Sequence, residues 1–278
     1  MSKSRLDDRV MREAGFSGLE AARAAIMAGL VYVNGQKLDK PGSLIGDSAQ
    51  IEVRRSAGRY VGRGGLKLEK AIKTFHLDLN GKVVLDAGSS TGGFTDCALQ
   101  HGAVIVYAVD VSYGQLAWRL RQDPRVKVLE RTNIRYLKPE NLEQTPDFAV
   151  IDLSFISLTK VLPNIFVLLQ GQGEGVALIK PQFEALKEQV EAKGVVRDPE
   201  VHRKVLQQIA AYINHLNGQV KGLDFSPITG PAGNIEYLMH FSVKAGPGAG
   251  TAGFDYHALV EKARVQLIIK NAEFIIET

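Results

Sequence analysis

Cysteine is nearly absent: Cys97 is the only one in 278 residues. That excludes an intramolecular disulfide framework and any zinc site built from several thiolates. No apolar run approaches the roughly 18 residues that cross a bilayer. The start, Met1-Ser-Lys-Ser-Arg-Leu-Asp-Asp-Arg9, has no hydrophobic signal core, which places the chain in the cytoplasm. Internal repeats of solenoid or propeller period are missing. What is present is ordinary for a globular protein: 45% hydrophobic and 23% charged residues, which excludes wholesale disorder.

The net charge of +4 is unevenly spread. Residues 1–75 hold 14 Lys and Arg against 8 Asp and Glu, whereas the rest holds 20 against 22. The whole basic excess lies in the first quarter. Such asymmetry fits contact with a polyanion, most often nucleic acid, or equally a solvated basic face.

The first quarter reads as a small α+β unit. Leu6, Val10 and Ala14 recur at helical spacing and Gly15 stops the helix. Ser17-Gly-Leu-Glu20 fits a capping box for a second helix through Ala28. Leu30–Val33 reads as a strand, Asn34-Gly35 as a hairpin turn, and Gln50–Arg54 as another strand. Ser56-Ala-Gly58 reads as a linker, placing the boundary at residue 57.

From residue 58 the pattern changes. A helix is predicted from Leu66 to Phe75. Apolar strands follow at Val83–Asp86, Val104–Asp110, Val126–Glu130, Phe148–Asp152 and Val176–Lys180, with helical segments between several of them. That alternation predicts a mainly parallel sheet with helices on both faces, a Rossmann-like α/β domain over residues 58–245. A helix at His202–Leu216 and strands at Val220–Phe225 and Ile235–Val243 complete it. Residues 246–278 read as a glycine-rich linker and a terminal amphipathic helix, Tyr256–Glu277.

Chemistry concentrates at strand ends. Asp86-Ala-Gly-Ser-Ser-Thr-Gly-Gly-Phe-Thr95 follows a buried strand and opens a helix. It lacks the Gly-x-Gly-x-x-Gly dinucleotide pattern. The next strand ends in Asp110, 22 residues after Gly88, where a carboxylate accepts ribose hydroxyls. No phosphate-cradling lysine accompanies the loop, so a nucleoside ligand without phosphates fits, S-adenosylmethionine above all. The candidate contacts are Asp86, Gly88, Ser90, Gly92, Gly93, Phe94, Asp110, Asn133 and Asp152, with Asn133 read as reaching adenine or as a turn residue. Two later motifs, Asp152-Leu-Ser-Phe-Ile-Ser157 and Leu178-Ile-Lys-Pro-Gln-Phe-Glu184, put charges at carboxyl ends of parallel strands. A lysine there is costly to bury unless paired or functional. Glu236 opens the last strand after the turn Ser226–Ile235.

Together with Arg59-Tyr-Val-Gly-Arg-Gly-Gly-Leu-Lys-Leu68, Tyr107-Ala-Val-Asp-Val111 and Gly233-Asn-Ile-Glu-Tyr237, these motifs resemble the TlyA family, also called hemolysin A proteins. The resemblance spans about residues 3–243. It implies an FtsJ-like methyltransferase that uses S-adenosylmethionine on a ribose 2′-hydroxyl of ribosomal RNA, by resemblance cytidine, with ribosomal RNA or a ribosomal subunit as partner. It implies a Lys-Asp-Lys-Glu tetrad at Lys67, Asp152, Lys180 and Glu236; Lys70 lies one turn away. It implies an S4-like RNA-binding module over residues 1–57, carried by Arg5-Leu-Asp7, Val33-Asn-Gly35 and Lys40-Pro-Gly42. The usual Ser-Arg pair opening that module's second helix is absent, leaving Arg5, Arg12, Arg23 and Lys37 as RNA-binding candidates. No metal site is predicted. Two other classes compete: an RNA- or ribosome-binding factor without catalysis, and a membrane-active hemolysin-like protein. The second needs a membrane-inserting segment, and none is legible here.

Overall fold

The structure, a computed structural model, describes residues 3–16, 18–27, 29–53, 59–244 and 253–276. The predicted cap at Ser17, the linker Ser56-Ala-Gly58 and most of the glycine-rich segment lie outside them.

The small unit packs two helices against short strands. In α1 (Leu6–Glu13) the i, i+4 pair Leu6 and Val10 is fully buried. In α2 (Leu19–Met27) Ala22 and Ile26 do the same. Strand β2 (Val31–Val33) turns through Asn34 and Gly35, both at positive φ, into β3 (Gln36–Lys37). This is the turn geometry that Asn-Gly favours. Strand β5 (Ile51–Val53) pairs with the other side of β2. A pairing not anticipated joins β1 (Lys3–Arg5) to β4 (Leu44–Gly46). Lys-Ser-Arg carries no apolar alternation, so only the partner strand reveals it.

The larger unit holds a seven-stranded mixed sheet. Its strands are β6 (Val83–Ala87), β7 (Ile105–Val109), β8 (Val126–Leu129), β9 (Phe148–Ile151), β10 (Glu174–Ile179), β11 (Gln219–Phe225) and β12 (Tyr237–Ser242), in spatial order β11-β12-β10-β9-β6-β7-β8. The first five run parallel; β12 is antiparallel to both β10 and β11. The chain steps outward from β6 to β7 and β8, then returns to β9 on the other side. Ligands bind at the carboxyl ends beside such a switch point, here between β6 and β9.

Residues along β6 alternate between two cores. Val83, Leu85 and Ala87 face one core with α6 (Leu162–Leu168), α8 (Pro199–His215) and α9 (Tyr256–Ile276). Val84 faces the other, with α3 (Gly64–Phe75), α4 (Gly93–Gln100) and α5 (Trp118–Arg121). Helix α8 starts earlier than the predicted His202, because Asp198 caps it by accepting from Glu200 N at 2.8 Å and Pro199 takes its first position. The terminal helix docks rather than projects: Val260, Ala263 and Leu267 are buried in the core that α8 shares. A four-residue helix, α7 (Pro181–Glu184), follows β10 directly.

Candidate active site

The loop after β6 is shaped by what lies against it. Gly88 has φ +95°, and a Cβ there would stand 2.5 Å from Asp152 O, so the loop lies directly against the end of β9. At Gly93 a Cβ would stand 2.9 Å from Gly65 N and 3.1 Å from Gly62 O. The first turns of α3 and α4 therefore touch backbone to backbone, which fixes Lys67 of α3 relative to the loop.

Asp86, on β6, is fully buried beneath the loop and accepts from Thr95 Oγ1 at 2.6 Å. Burial pushes its carboxyl up to about 7, against the opposing pull of the Thr95 hydrogen bond. Asp110 follows β7. Its Oδ2 accepts from Ser90 N and its Oδ1 from Ser112 N, both at 2.8 Å. Each oxygen retains a second lone pair. A cavity of about 310 Å³ opens beside it, lined by Gly88, Ser90, Asp110, Thr132, Ile134 and Phe155 among others. Asn133 is not among its lining residues. Its Oδ1 accepts from Arg135 N at 3.1 Å and caps the short turn Ile134–Tyr136, so its neighbours Thr132 and Ile134 face the cavity instead. Phe94 is also absent from this cavity; it is 3% exposed against Gly64 and lines the neighbouring cavity described next.

A second cavity, about 500 Å³, holds all four tetrad candidates. Lys180 Nζ lies 2.6 Å from Asp152 Oδ1, and Lys67 Nζ lies 3.2 Å from Asp152 Oδ2 and 2.7 Å from Glu236 Oε2. Asp152 follows β9 and Lys180 follows β10, both at carboxyl ends. Glu236 immediately precedes β12 rather than opening it. It reaches the same rim because β12 runs the other way. The turn before it is tied down by Asn234, which accepts from Val196 N at 3.0 Å and donates to Gly194 O at 2.8 Å. Lys70 points away, donating to Phe225 O at 2.6 Å and pairing with Asp224 at 3.0 Å.

The charges in this cluster set one another. Burial alone would lower the Lys67 ammonium, but Asp152 and Glu236 outweigh it and raise its pKa. Burial alone would raise the Asp152 carboxyl, but Lys180 and Lys67 outweigh it and hold it below the usual range. Sequence reading missed two neighbours. Ser154 Oγ accepts from Lys180 Nζ at 3.0 Å, and Glu184 grips the loop after Asp152 by accepting from Ser157 Oγ at 2.6 Å and Leu158 N at 2.7 Å. Both lie inside motifs singled out for other residues.

In the small unit, two of the four basic candidates are engaged. Asp7 is buried and accepts from Arg5 Nε and Nη2 at 2.9 and 2.7 Å and from Arg23 Nε at 2.8 Å. The Arg5 hydrogen bond is the chief cause holding the Asp7 carboxyl down to about 2. Arg12 and Lys37 are more open; Arg12 Nε reaches Asp8 O at 3.3 Å, and Lys37 is exposed.

Residues 60–243 match the model of the FtsJ-like methyltransferases. The chain belongs to the FtsJ-like methyltransferase family. Residues 4–51 of this FtsJ-like protein match the S4 domain. It is 51% identical over 252 residues to YqxC of Bacillus subtilis, which carries an rRNA-methyltransferase name, covering 90% of this chain and 89% of that one. It is 42% identical over 238 residues to the 16S/23S rRNA (cytidine-2′-O)-methyltransferase TlyA of Mycobacterium tuberculosis, covering 85% and 89%. A solved structure of a hemolysin-named protein from Streptococcus thermophilus superposes with a TM-score of 0.75 at 44% identity, covering 98% of this FtsJ-like chain and 99% of that chain. Among the described residues no helix is long and apolar enough to cross a membrane.

Proposed function

We propose that this chain transfers a methyl group from S-adenosylmethionine to a ribose 2′-hydroxyl of ribosomal RNA, with cytidine as the acceptor nucleoside and Lys180 as the base. The observation that carries the reading is the convergence of Lys67, Asp152, Lys180 and Glu236 in a cavity that shares a wall with the nucleoside cavity: Gly88, Ser90, Asp152 and Ser154 line both.

The nucleoside cavity suits this cofactor. Its lining includes Asp110 and Asp152 and no Lys or Arg. That favours a cationic sulfonium and disfavours a phosphate-bearing nucleotide. When bound, the sulfonium supplies an electrophilic methyl. The protein's part is to prepare the oxygen that attacks it. A ribose hydroxyl is a poor nucleophile until its proton leaves, and the Lys180 amine takes that proton. Asp152 anchors Lys180 and Lys67 at fixed separation. Lys67, held charged by its two carboxylates, stabilises negative charge building on the oxygen. Glu236 fixes Lys67 from the opposite side. The shared wall holds the oxygen in line with the methyl, which removes much of the entropic barrier. The S4 module supplies RNA affinity through phosphate contacts, with Arg12 and Lys37 among its available cations.

Mapping 2′-O-methyl positions in ribosomal RNA from cells with and without this protein tests the reading. At least one cytidine methylation is expected to disappear and to return with the wild-type chain. Identical maps would overturn it. For the cofactor, Asp110→Ala is expected to weaken S-adenosylmethionine binding by about 2–3 kcal/mol, the loss of hydrogen bonds to a charged acceptor. Calorimetry is the check, and unchanged affinity would remove Asp110 from the site.

A further inference from the structure

We propose that Ser154 is a positioning residue that orients the Lys180 amine toward the acceptor hydroxyl. This inference rests on the reading of Lys180 as the base. A lysine nitrogen has three hydrogen-bonding directions. Asp152 Oδ1 takes one at 2.6 Å and Ser154 Oγ takes a second at 3.0 Å. With both occupied, the neutral amine keeps its two N–H bonds on these acceptors, and its lone pair lies along the third direction. That direction is where a proton must arrive. Without Ser154 the amine rotates about its Cε–Nζ bond, holding Asp152 alone, and the lone pair is spread over several orientations.

Three features fix Ser154 in place. It lines both cavities, at the wall where acceptor and methyl meet. The next residue, Phe155, has φ +63°, a left-handed conformation uncommon for a bulky side chain, which turns the chain sharply just after Ser154. Farther along, Glu184 clamps Ser157 and Leu158. Glu184 ends the short helix that Lys180 begins, so the loop bearing Ser154 and the segment bearing Lys180 are fastened together twice.

The test is steady-state methylation of ribosomal subunits purified from cells lacking this protein, using the full chain. Ser154→Ala is expected to lower kcat by roughly tenfold, the upper range of one hydrogen bond between uncharged groups. S-adenosylmethionine affinity, subunit affinity and melting temperature are expected to stay unchanged. Ser154→Thr, which keeps the hydroxyl, is expected to recover kcat to within about threefold of wild type, the cost of threonine's stiffer χ1. Three results would overturn the proposal: an unchanged kcat in Ser154→Ala, a fall matched by loss of cofactor binding, or a threonine variant as slow as alanine. Lys180→Ala separates the two layers. If it kills turnover while Ser154→Ala does not, the role of Ser154 fails and the base stands. If Lys180→Ala remains active, the base reading fails and the positioning role with it.

Discussion

Lys180→Ala is expected to lower kcat by about 10²–10⁴-fold, the usual contribution of a positioned general base. The fold should survive, because Asp152 keeps Lys67 as its partner at 3.2 Å. Cofactor affinity should change little. Lys180→Arg should be nearly as slow as alanine, since a guanidinium holds its proton at any pH the enzyme experiences. Methyl incorporation into purified subunits, with calorimetry on the cofactor, measures both. An arginine variant with substantial activity would show that Lys180 supplies positive charge and not proton acceptance. The pH profile offers a second readout. A pH profile that differs in shape between wild type and the alanine variant is expected, and identical profiles would remove proton acceptance from the role of Lys180.

The second large effect is on stability. Asp152→Ala removes the carboxylate between two buried ammonium groups. Lys67 keeps Glu236, but Lys180 is left with a neutral hydroxyl. Breaking a buried pair on one side costs about 3–5 kcal/mol. For a domain of this size that corresponds to a fall in melting temperature of roughly 6–20 °C. Adding Lys180→Met to Asp152→Ala should recover part of the loss, because the stranded charge is gone while the volume stays. Scanning calorimetry of the three proteins decides it; an unchanged melting temperature in Asp152→Ala would mean that the cluster contributes nothing to folding. The pH dependence follows in sign. Asp152 titrates below its ordinary 3.8 in the folded chain, so its contribution is complete above that value and fades as pH falls through the depressed one. Asp86 works oppositely: with its folded value raised to about 7, its burial becomes a growing cost as pH rises from about 4 toward 7.

The strands, Asp152 and Lys180 left local marks in the sequence, whereas Lys67 and Glu236 were picked out only by the family resemblance. Val83–Ala87, Phe148–Ile151 and Glu174–Ile179 are apolar runs ending in a charge or a glycine. A charge at the end of a buried strand is a conflict that sequence alone exposes. The order of the strands left no such mark, since it depends on which apolar faces fit together. Nor did the engagement of Arg5 and Arg23 by Asp7. A basic excess counts charges without showing that a buried carboxylate sixteen residues from Arg23 holds it. Asn133 illustrates the same limit: an Asn after a strand suits a ligand contact or a cap, and the backbone of Arg135 decides for the cap. Ser154 and Glu184 were hidden differently. Each sits in a quoted motif beside a louder residue, and small hydroxyls and loop-end glutamates are too common to single out.

Strand β12 is the last strand among the described residues but stands inside the sheet, between β10 and β11. During synthesis β10 is an open edge and β11 has no neighbour until residues 237–242 have emerged. Glu236 arrives in that same final stretch. A chain still being made thus has its cofactor loop, its S4 module and three of four tetrad residues, yet no closed sheet to hold them. The four-residue cluster therefore forms only once residues 236–242 are in place, so its assembly waits on the closing of the sheet.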